Sequence, residues 1–307
     1  MNEHYEIFLR NLPFIVREQN EALNIINDSN NKIFDVRDKN NKLIATSIIN
    51  KNTIYLLCVN EEYRNIGIGT NLLNKSEEYI LEQGYDSINI GVGDNYLMPG
   101  IPMNNKPYEE QLKKDNIYSE VNNNAYEFFI KRGYKHSWKD ANCFDMRADL
   151  KRIDFSKEAI GDIINGIGYR FATVKDIPNI IKCTNDAENS FTPYYENKEY
   201  YNLESNQRVL IATKNNEVCG TLMVCIETEG KGLGSVGCTT VANKYRGQHI
   251  GVNMVTLGTK YLKSLGLSQA FLGYTYSGLD KMYGYAGYKI CIYYFMAKKS
   301  FLLNKIR

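Results

Sequence analysis

The sequence has little of what metal centres and disulfide frameworks are made from. Three histidines in 307 residues leave scant material for a metal site, because His, with Cys and carboxylates, supplies most transition-metal ligands. The seven cysteines, at 58, 143, 183, 219, 225, 238 and 291, are odd in number and widely spread, with no C-x-x-C pair. That pattern argues against a disulfide scaffold or a zinc ribbon and predicts buried thiols in a reduced, cytoplasmic protein. No run approaches the ~18 apolar residues that cross a bilayer. Nor does one sign of charge dominate: 37 basic against 35 acidic residues leave a net charge of +2. Binders of nucleic acid or of membrane surfaces normally carry a clear basic excess, so neither partner is expected. The segment Met1-Asn2-Glu3-His4-Tyr5 has neither the basic start nor the apolar stretch of a signal peptide, and no leader is expected. The 24 tyrosines, with abundant Asn and Lys, read as a bias of base composition.

What is present is a near-average globular composition, 43% hydrophobic and 23% charged, in a chain long enough to bury a sizeable core. At roughly 100–200 residues per domain the length predicts two domains. An internal repeat makes that specific. Val59-Asn-Glu-Glu-Tyr63-Arg64-Asn65-Ile66-Gly67-Ile68-Gly69 aligns with Val241-Ala-Asn-Lys-Tyr245-Arg246-Gly247-Gln248-His249-Ile250-Gly251 at an offset of 182. Each copy follows a β-rich run (53–59, 235–241) and precedes an amphipathic helix, with Ile68, Leu72, Leu73, Tyr79 and Ile80 on one face of the first and Ile250, Met254, Leu257, Tyr261, Leu262 and Leu265 on one face of the second. A later pair, Phe128–Tyr134 and Met282–Tyr288, aligns at an offset of 154, so the first copy carries 28 extra residues. They fall between a strand at 87–92 and a helix at 122–132. They include Tyr96-Leu-Met-Pro-Gly-Ile-Pro102, which reads as a loop, and long loops in compact domains tend to be lids or binding segments.

A charged, Gly-punctuated stretch at 150–168 reads as the linker, giving domains at 1–150 and 151–307. After it come a strand at 169–173, a helix capped by Asp176 with Pro178 in its first turn, and strands at 208–213 and 218–225 joined by a turn. The first domain repeats the strand pair at 33–37 and 43–49. Residues 3–30 read mostly as helix broken at Pro13, so its first strand is short or missing.

The strand–Arg-x-x-Gly-x-Gly–helix unit is a phosphate-binding design. A Gly-rich turn exposes backbone N–H groups at the positive end of a helix, where an anion sits without much help from basic side chains. A Walker loop would end in Gly-Lys-Ser/Thr, which neither copy has. A Rossmann fingerprint would need a third Gly and would open the domain, whereas this motif follows three strands. Gly91-Val-Gly93 lacks the third Gly and reads as a turn. A coenzyme A pyrophosphate loop remains.

On these residues the chain resembles the GCN5-related N-acetyltransferase (GNAT) family, over nearly its whole length and as two tandem copies. Val59-x-x-x-Tyr63-Arg64-x-x-Gly67-x-Gly69-Thr70-x-Leu72-Leu73 matches the family's acetyl-CoA signature. Asn122-x-x-Ala125-x-x-x-Phe129-x-x-x-Gly133-Tyr134 looks like its second motif, with Phe129 where many members carry a Tyr that protonates the departing thiolate. The second copy reverses this. His249 replaces the first Gly of its loop, Tyr283 stands at the acid position, and Tyr276 and Leu279 replace the family's Asn and Ala.

The resemblance implies an α/β protein of two tandem GNAT folds, each a mixed, mostly antiparallel sheet with helices on both faces and splayed where pantetheine enters. It implies acetyl-CoA as donor, no metal, and a primary amine of a small molecule or peptide as acceptor; a homodimer is compatible with it. By resemblance the cofactor contacts are Leu57, Cys58 and Val59, Arg64, Asn65, Ile66, Gly67, Ile68, Gly69, Thr70 and Asn122 in the first copy. In the second they are Thr239, Thr240 and Val241 beside the thioester, with Arg246, Gly247, Gln248, His249 and Gly251 in the loop, and Tyr283 is the acid. The complete loop favours the first domain as the CoA site, with the extra residues shaping the acceptor pocket. Two other readings stay open: a CoA-binding sensor without turnover, to which the split of loop and acid between copies points, and a tRNA-dependent aminoacyl transferase, against which the small net charge argues. Plainer explanations also exist for single residues: Tyr283 lies in a Tyr-rich stretch that packs a core, Cys58 and Cys238 fit as small buried residues, and His136 is as readily a packed side chain as a catalytic one.

Overall fold

The structure, a computed structural model, describes residues 2–13, 15, 17, 19–91, 97–103, 125–137, 143–226, 232–276 and 278–301. The chain divides into two compact units, Met1–Phe144 with Ile292–Arg307, and Asp145–Cys291. A single cut at 150/151 does not reproduce this division, because the C-terminal segment returns to the first unit.

The first unit opens with α1 (Glu3–Asn11) and α2 (Gln19–Ile26), separated at Pro13; among the described residues no strand precedes β1, in keeping with a first strand read as short or missing. Strands β1 (Lys32–Arg37), β2 (Leu43–Asn50) and β3 (Thr53–Val59) follow as an antiparallel meander. Leu43 to Ile49 are all buried. Successive strand side chains point to opposite faces, so both faces of β2 are covered. The helices that pack on it are α1 and α3 (Ile68–Glu82). α3 turns Leu72, Leu73, Ser76 and Ile80 inward, and Ser76 Oγ meets Ser47 Oγ at 2.8 Å within the buried layer. Then come β4 (Ser87–Ile90), parallel to β3, β5 (Ile101–Met103), α4 (Ala125–Ile130) and β6 (Lys135–His136). Part of the expected loop at 96–102 is therefore strand. Ile101–Met103 pairs with residues 293–295, and Pro102 is accommodated on a short edge piece. Gly91 explains the sharp turn after β4: its φ is +91°, and a Cβ there would lie 2.7 Å from the Gly100 nitrogen. Most of the 28-residue insert lies outside the described residues.

The second unit begins with β7 (Cys143–Asp149), whose Asp145–Asp149 it contains. The expected linker holds a small hairpin, β8 (Ile163–Ile164) and β9 (Ile167–Phe171), closed by Asn165 and Gly166 at φ +51° and +77°, the positive-φ pair that two-residue hairpin turns demand. Helix α5 (Ile177–Ala187) follows with Pro178 in its first turn as expected. The Asp176 carboxylate accepts from the Thr173 N–H, not from an α5 amide. A short α6 (Thr192–Tyr195) leads into β10 (Gln207–Lys214), β11 (Glu217–Cys225), β12 (Leu233–Val241), α7 (Ile250–Ser264), β13 (Gln269–Tyr276), α8 (Asp280–Gly284) and β14 (Lys289–Phe295). The order β14-β7-β13-β12-β11-β10-β9-β8 is antiparallel along β8–β12, with β12 and β13 parallel.

The first unit thus takes in a strand from the far end of the chain, while β7 goes to the second unit. β7, at the start of the second unit, is held beside β13: the Tyr274 N–H donates to Asp145 Oδ1 at 2.8 Å and the Leu150 N–H to the Ser268 carbonyl at 3.0 Å. β15 (Ala297–Ser300), which follows the second unit, sits in the first unit's sheet between β4 and β6, in the order β1-β2-β3-β4-β15-β6. Lys299 on β15 donates to Glu77 Oε2 of α3 at 2.7 Å. Phe295, 4% exposed, joins Ile54, Ile88, Phe129 and Tyr134 in the first unit's core and meets Tyr126 edge-on at 5.0 Å between ring centroids. Phe295→Ala is therefore expected to cost about 3–5 kcal/mol, a large share of a typical ~5–15 kcal/mol. Thermal melting would show it as an early transition of the first unit; an unchanged melt would contradict the placement of this segment.

Candidate active site

In the first unit, β3 runs through a turn of 3₁₀ helix at Glu61–Tyr63 into the loop that opens α3. Arg64 holds the loop in shape. Its Nε donates to the Val59 carbonyl at 2.9 Å and an Nη to Asn11 Oδ1 at 2.8 Å, and Asn11 in turn bonds the Ile7 carbonyl and Asn60. Arg64 thus spends donors on the fold while still lining the cleft. Asn65 and Gly67 take positive φ, +63° and +91°. The first backbone bond of the helix runs from the Asn71 N–H to the Gly67 carbonyl at 3.0 Å, so the amides of Ile68, Gly69 and Thr70 precede the ladder and are available to an anion. Ile66, 68% exposed, forms the tip of the loop.

A cleft of about 400 Å³ lies against this loop. Leu57, Cys58 and Val59 of β3 form one wall. Gly67, Gly69 and Thr70 form the loop side, and Ala125, Phe128, Phe129 and Arg132, on and just past α4, face them. Among the described residues β3 pairs with β4 at Thr53 and Ile54. Arg132 was not singled out from sequence. Its guanidinium lies over the Phe128 ring at 3.7 Å and donates to Thr70 Oγ1 at 2.7 Å and the Phe128 carbonyl at 2.8 Å. The available signal was its place beside the Gly133-Tyr134 landmark, four residues after Phe128. Phe129 is 4% exposed and packs edge-on against Phe128 and Tyr134, so the expected acid position is here part of the core. Burial pushes the Cys58 thiol up to about 12, which argues against a nucleophilic role.

The second unit repeats the backbone of this loop. Gly247 and His249 take φ of +79° and +58°, where Asn65 and Gly67 stand in the first copy. The Asn253 N–H donates to the His249 carbonyl at 3.0 Å, matching Asn71 and Gly67. A Cβ on Gly69 would lie 3.5 Å from Val59 Cγ2 and one on Gly251 3.6 Å from Val241 Cγ2. His249 thus keeps the left-handed conformation that glycine has in the first copy. A cleft of about 250 Å³ is lined by Val241, Arg246, Gly247, His249, Ile250, Gly251 and Met282. Arg246 is exposed and reaches the Val241 carbonyl at 3.4 Å; Gln248 accepts from Lys214 at 3.0 Å.

The strands before the loops differ. β12 pairs with β11 as Thr221↔Thr240 and then Met223↔Gly237, so Cys238 and Thr239 stand opposite Leu222 alone. This is a bulge, with Cys238 at φ +50°. Tyr283 of α8, 5% exposed, brings its hydroxyl to 3.2 Å from Thr239 Oγ1 beside it. Burial raises the Tyr283 pKa, with the Thr239 hydrogen bond opposing. Among the described residues β12 pairs with β13 over Leu233–Ser235. In the first unit the residues that align with Cys238 and Thr239 are Leu56 and Leu57, which stay in register opposite Ile48 and Ser47. The extra residue there is Tyr55, further back on β3.

Two copies of a strand, a positive-φ loop and a helix, each with a parallel strand beside the first, are one plan used twice. The acetyltransferase (GNAT) family profile matches residues 1–102 and 174–284. The chain belongs to the GNAT family. The family supports an acyltransferase type of function. Among solved structures, a fungal multi-domain protein with a GCN5-related glucosamine N-acetyltransferase region aligns with 97% of this chain at 18% identity and a TM-score of 0.69; the chain spans 36% of that protein's length. A tandem GNAT protein from the clavulanic acid biosynthesis pathway aligns over 97% of this chain and 94% of its own at 12% identity and a TM-score of 0.65. A GCN5-related N-acetyltransferase from Sphaerobacter thermophilus does so over 97% and 91% at 14% identity and 0.63. At these identities the likeness is one of fold. No curated protein sequence matches this chain.

Of the residues expected at a GNAT site, Leu57, Cys58, Val59, Arg64, Asn65, Gly67, Gly69 and Thr70 are gathered at one cleft and Val241, Arg246, Gly247, His249 and Gly251 at another, whereas Ile66, Ile68 and Gln248 are not part of these linings. Thr240 is buried on β12 and donates to the Cys238 carbonyl at 3.3 Å. Asn122 lies outside the described residues. His136 meets the Phe295 ring edge-on at 5.4 Å, which fits a packed side chain. Among the described residues no helix is long and apolar enough to cross a membrane, and no group of three or more His, Cys, Asp or Glu could hold a metal ion.

Proposed function

We propose that this chain transfers the acetyl group of acetyl-CoA to a primary amine of a small molecule or peptide, that the transfer takes place in the second unit, and that the first unit holds acetyl-CoA at the Gly67 loop without reacting. The observation that carries this reading is the Tyr283 hydroxyl beside the Cys238–Thr239 bulge. A neutral amine attacks the thioester carbon and forms the C–N bond. The carbonyl oxygen takes negative charge and is held by backbone N–H groups of the bulge. The C–S bond then breaks, the thiolate takes the Tyr283 proton, and the new amide nitrogen gives one to solvent, from which Tyr283 is reprotonated. Preorganised donors contribute a few kcal/mol to such a step, and an acid for the thiolate about 10²–10⁴-fold. The raised pKa of Tyr283 keeps its proton in place at neutral pH.

In the first unit the aligned strand lacks a bulge at this level and the acid position is a core Phe, which supports binding without transfer there. An assay of thiol release from acetyl-CoA over a panel of primary amines tests the reading. Release above hydrolysis with at least one amine supports it. Measured acetyl-CoA binding with no release beyond hydrolysis across the panel would overturn it in favour of a sensor.

A further inference from the structure

A bulge in a strand is a register choice, and something must hold it. Cys238 adopts φ +50°, a left-handed conformation that costs a non-glycine residue free energy and persists only where surrounding contacts enforce it. Two hydroxyls reach the Cys238 carbonyl: that of Thr240, within the strand, at 3.3 Å, and that of Tyr195, from another element and the shorter, at 2.6 Å. Tyr195 ends α6 and is fully buried, packed with Ile180, Cys183, Val209 and Met223. Its own carbonyl is held in turn by the Tyr201 hydroxyl at 2.6 Å. A phenol in such surroundings keeps its hydroxyl bonded, because an unpartnered buried donor is costly. In the bulged register the carbonyl is turned toward the tyrosine, and each satisfies the other.

We infer that Tyr195 is a positioning residue for acetyl transfer, fixing the Cys238–Thr239 bulge so that its backbone N–H groups face the thioester carbonyl and Thr239 stays beside Tyr283. This rests on the proposal that the second unit carries the reaction. Tyr195 touches neither the donor nor the amine; it acts through the bulge. The comparison within the chain supports it: where the aligned strand residues Leu56 and Leu57 remain in regular register, the acid is absent as well.

The test is steady-state thiol release with acetyl-CoA and an accepted amine in Tyr195→Phe, Tyr283→Phe and the double variant Tyr195→Phe/Cys238→Gly. Tyr195→Phe is expected to lower kcat about 10-fold, below the 10²–10³ of removing an oxyanion donor outright, with KM for acetyl-CoA within about twofold because the loop contacts are untouched. The double variant is expected to recover most of the loss, since glycine adopts positive φ without strain. A structural loss alone would lower folded fraction and would not show this split or this rescue. Wild-type kcat in Tyr195→Phe, with kcat reduced in Tyr283→Phe, overturns the inference and leaves the site assignment standing. A reduced kcat in Tyr195→Phe that the glycine fails to restore also overturns it. Wild-type kcat in Tyr283→Phe overturns the site assignment itself, and the inference with it.

Discussion

Tyr283→Phe is expected to lower kcat about 10²-fold or more, with acetyl-CoA affinity changed by less than about twofold. The magnitude follows from the usual 10²–10⁴-fold contribution of a positioned acid. The affinity holds because the ring stays: Tyr283 packs edge-on against Tyr288 at 6.0 Å and is 5% exposed, and Phe fills the same volume. The pH profile gives an independent reading. The acceptor must be neutral, so the rate rises with pH through the amine's pKa. In the wild-type chain the rate falls again when Tyr283 ionises, which its burial displaces to above the usual tyrosine value of 10. That alkaline fall is expected to vanish in Tyr283→Phe. A variant with wild-type kcat and an unchanged alkaline limb would remove Tyr283 from the reaction.

Gly67→Asp is expected to weaken acetyl-CoA binding at the first unit by about 100-fold or more. Gly67 opens α3 at φ +91°, and nothing lies within 4 Å of a Cβ placed there. Asp tolerates a left-handed conformation better than most residues, so the change should cost the fold little, about 1–2 kcal/mol. The carboxylate, however, occupies the point where backbone amides at the positive end of the helix would meet pyrophosphate. Calorimetric titration of wild-type chain with acetyl-CoA should resolve two binding events and of the variant one. Two unchanged events in Gly67→Asp would show that this loop holds no phosphate.

The repeat made much of this visible in advance. The shared Val, Tyr, Arg, Ile and Gly, and the amphipathic run after them, locate both loops and both helices, because local turn chemistry and helical periodicity are written in consecutive residues. The Asn165-Gly166 pair, by contrast, closes a hairpin inside a stretch that reads as linker because the flanking strands are only two and five residues long. Three further features were not legible. The placement of β7 and β15 depends on pairing across more than a hundred residues, and their short alternating patterns do not name a partner. The bulge at Cys238–Thr239 is a shift in register that shows only in the pairing of β11 with β12. Arg132 earns its place by stacking on Phe128 next to Thr70, a contact between segments sixty residues apart. The same points correct the balance between the copies. In sequence the first loop is complete and the second departs from the signature at His249. In the structure its backbone matches the first, and the larger difference between the copies lies in the strands ahead of the loops.

The most direct test of acetyl transfer in the second unit is the rate of thiol release from acetyl-CoA, with an accepted amine, in Gly251→Asp. Gly251 aligns with Gly69 in the first turn of α7, where an acidic side chain suits the helix dipole and a Cβ meets the flexible Met282 sulfur at 3.0 Å and Val241 Cγ2 at an ordinary 3.6 Å. The folded chain should persist while its negative charge repels the pyrophosphate. A fall in rate of about 100-fold or more is the predicted result. Turnover at the wild-type rate in Gly251→Asp, with turnover lost in Gly67→Asp, would place the reaction in the first unit and contradict the account.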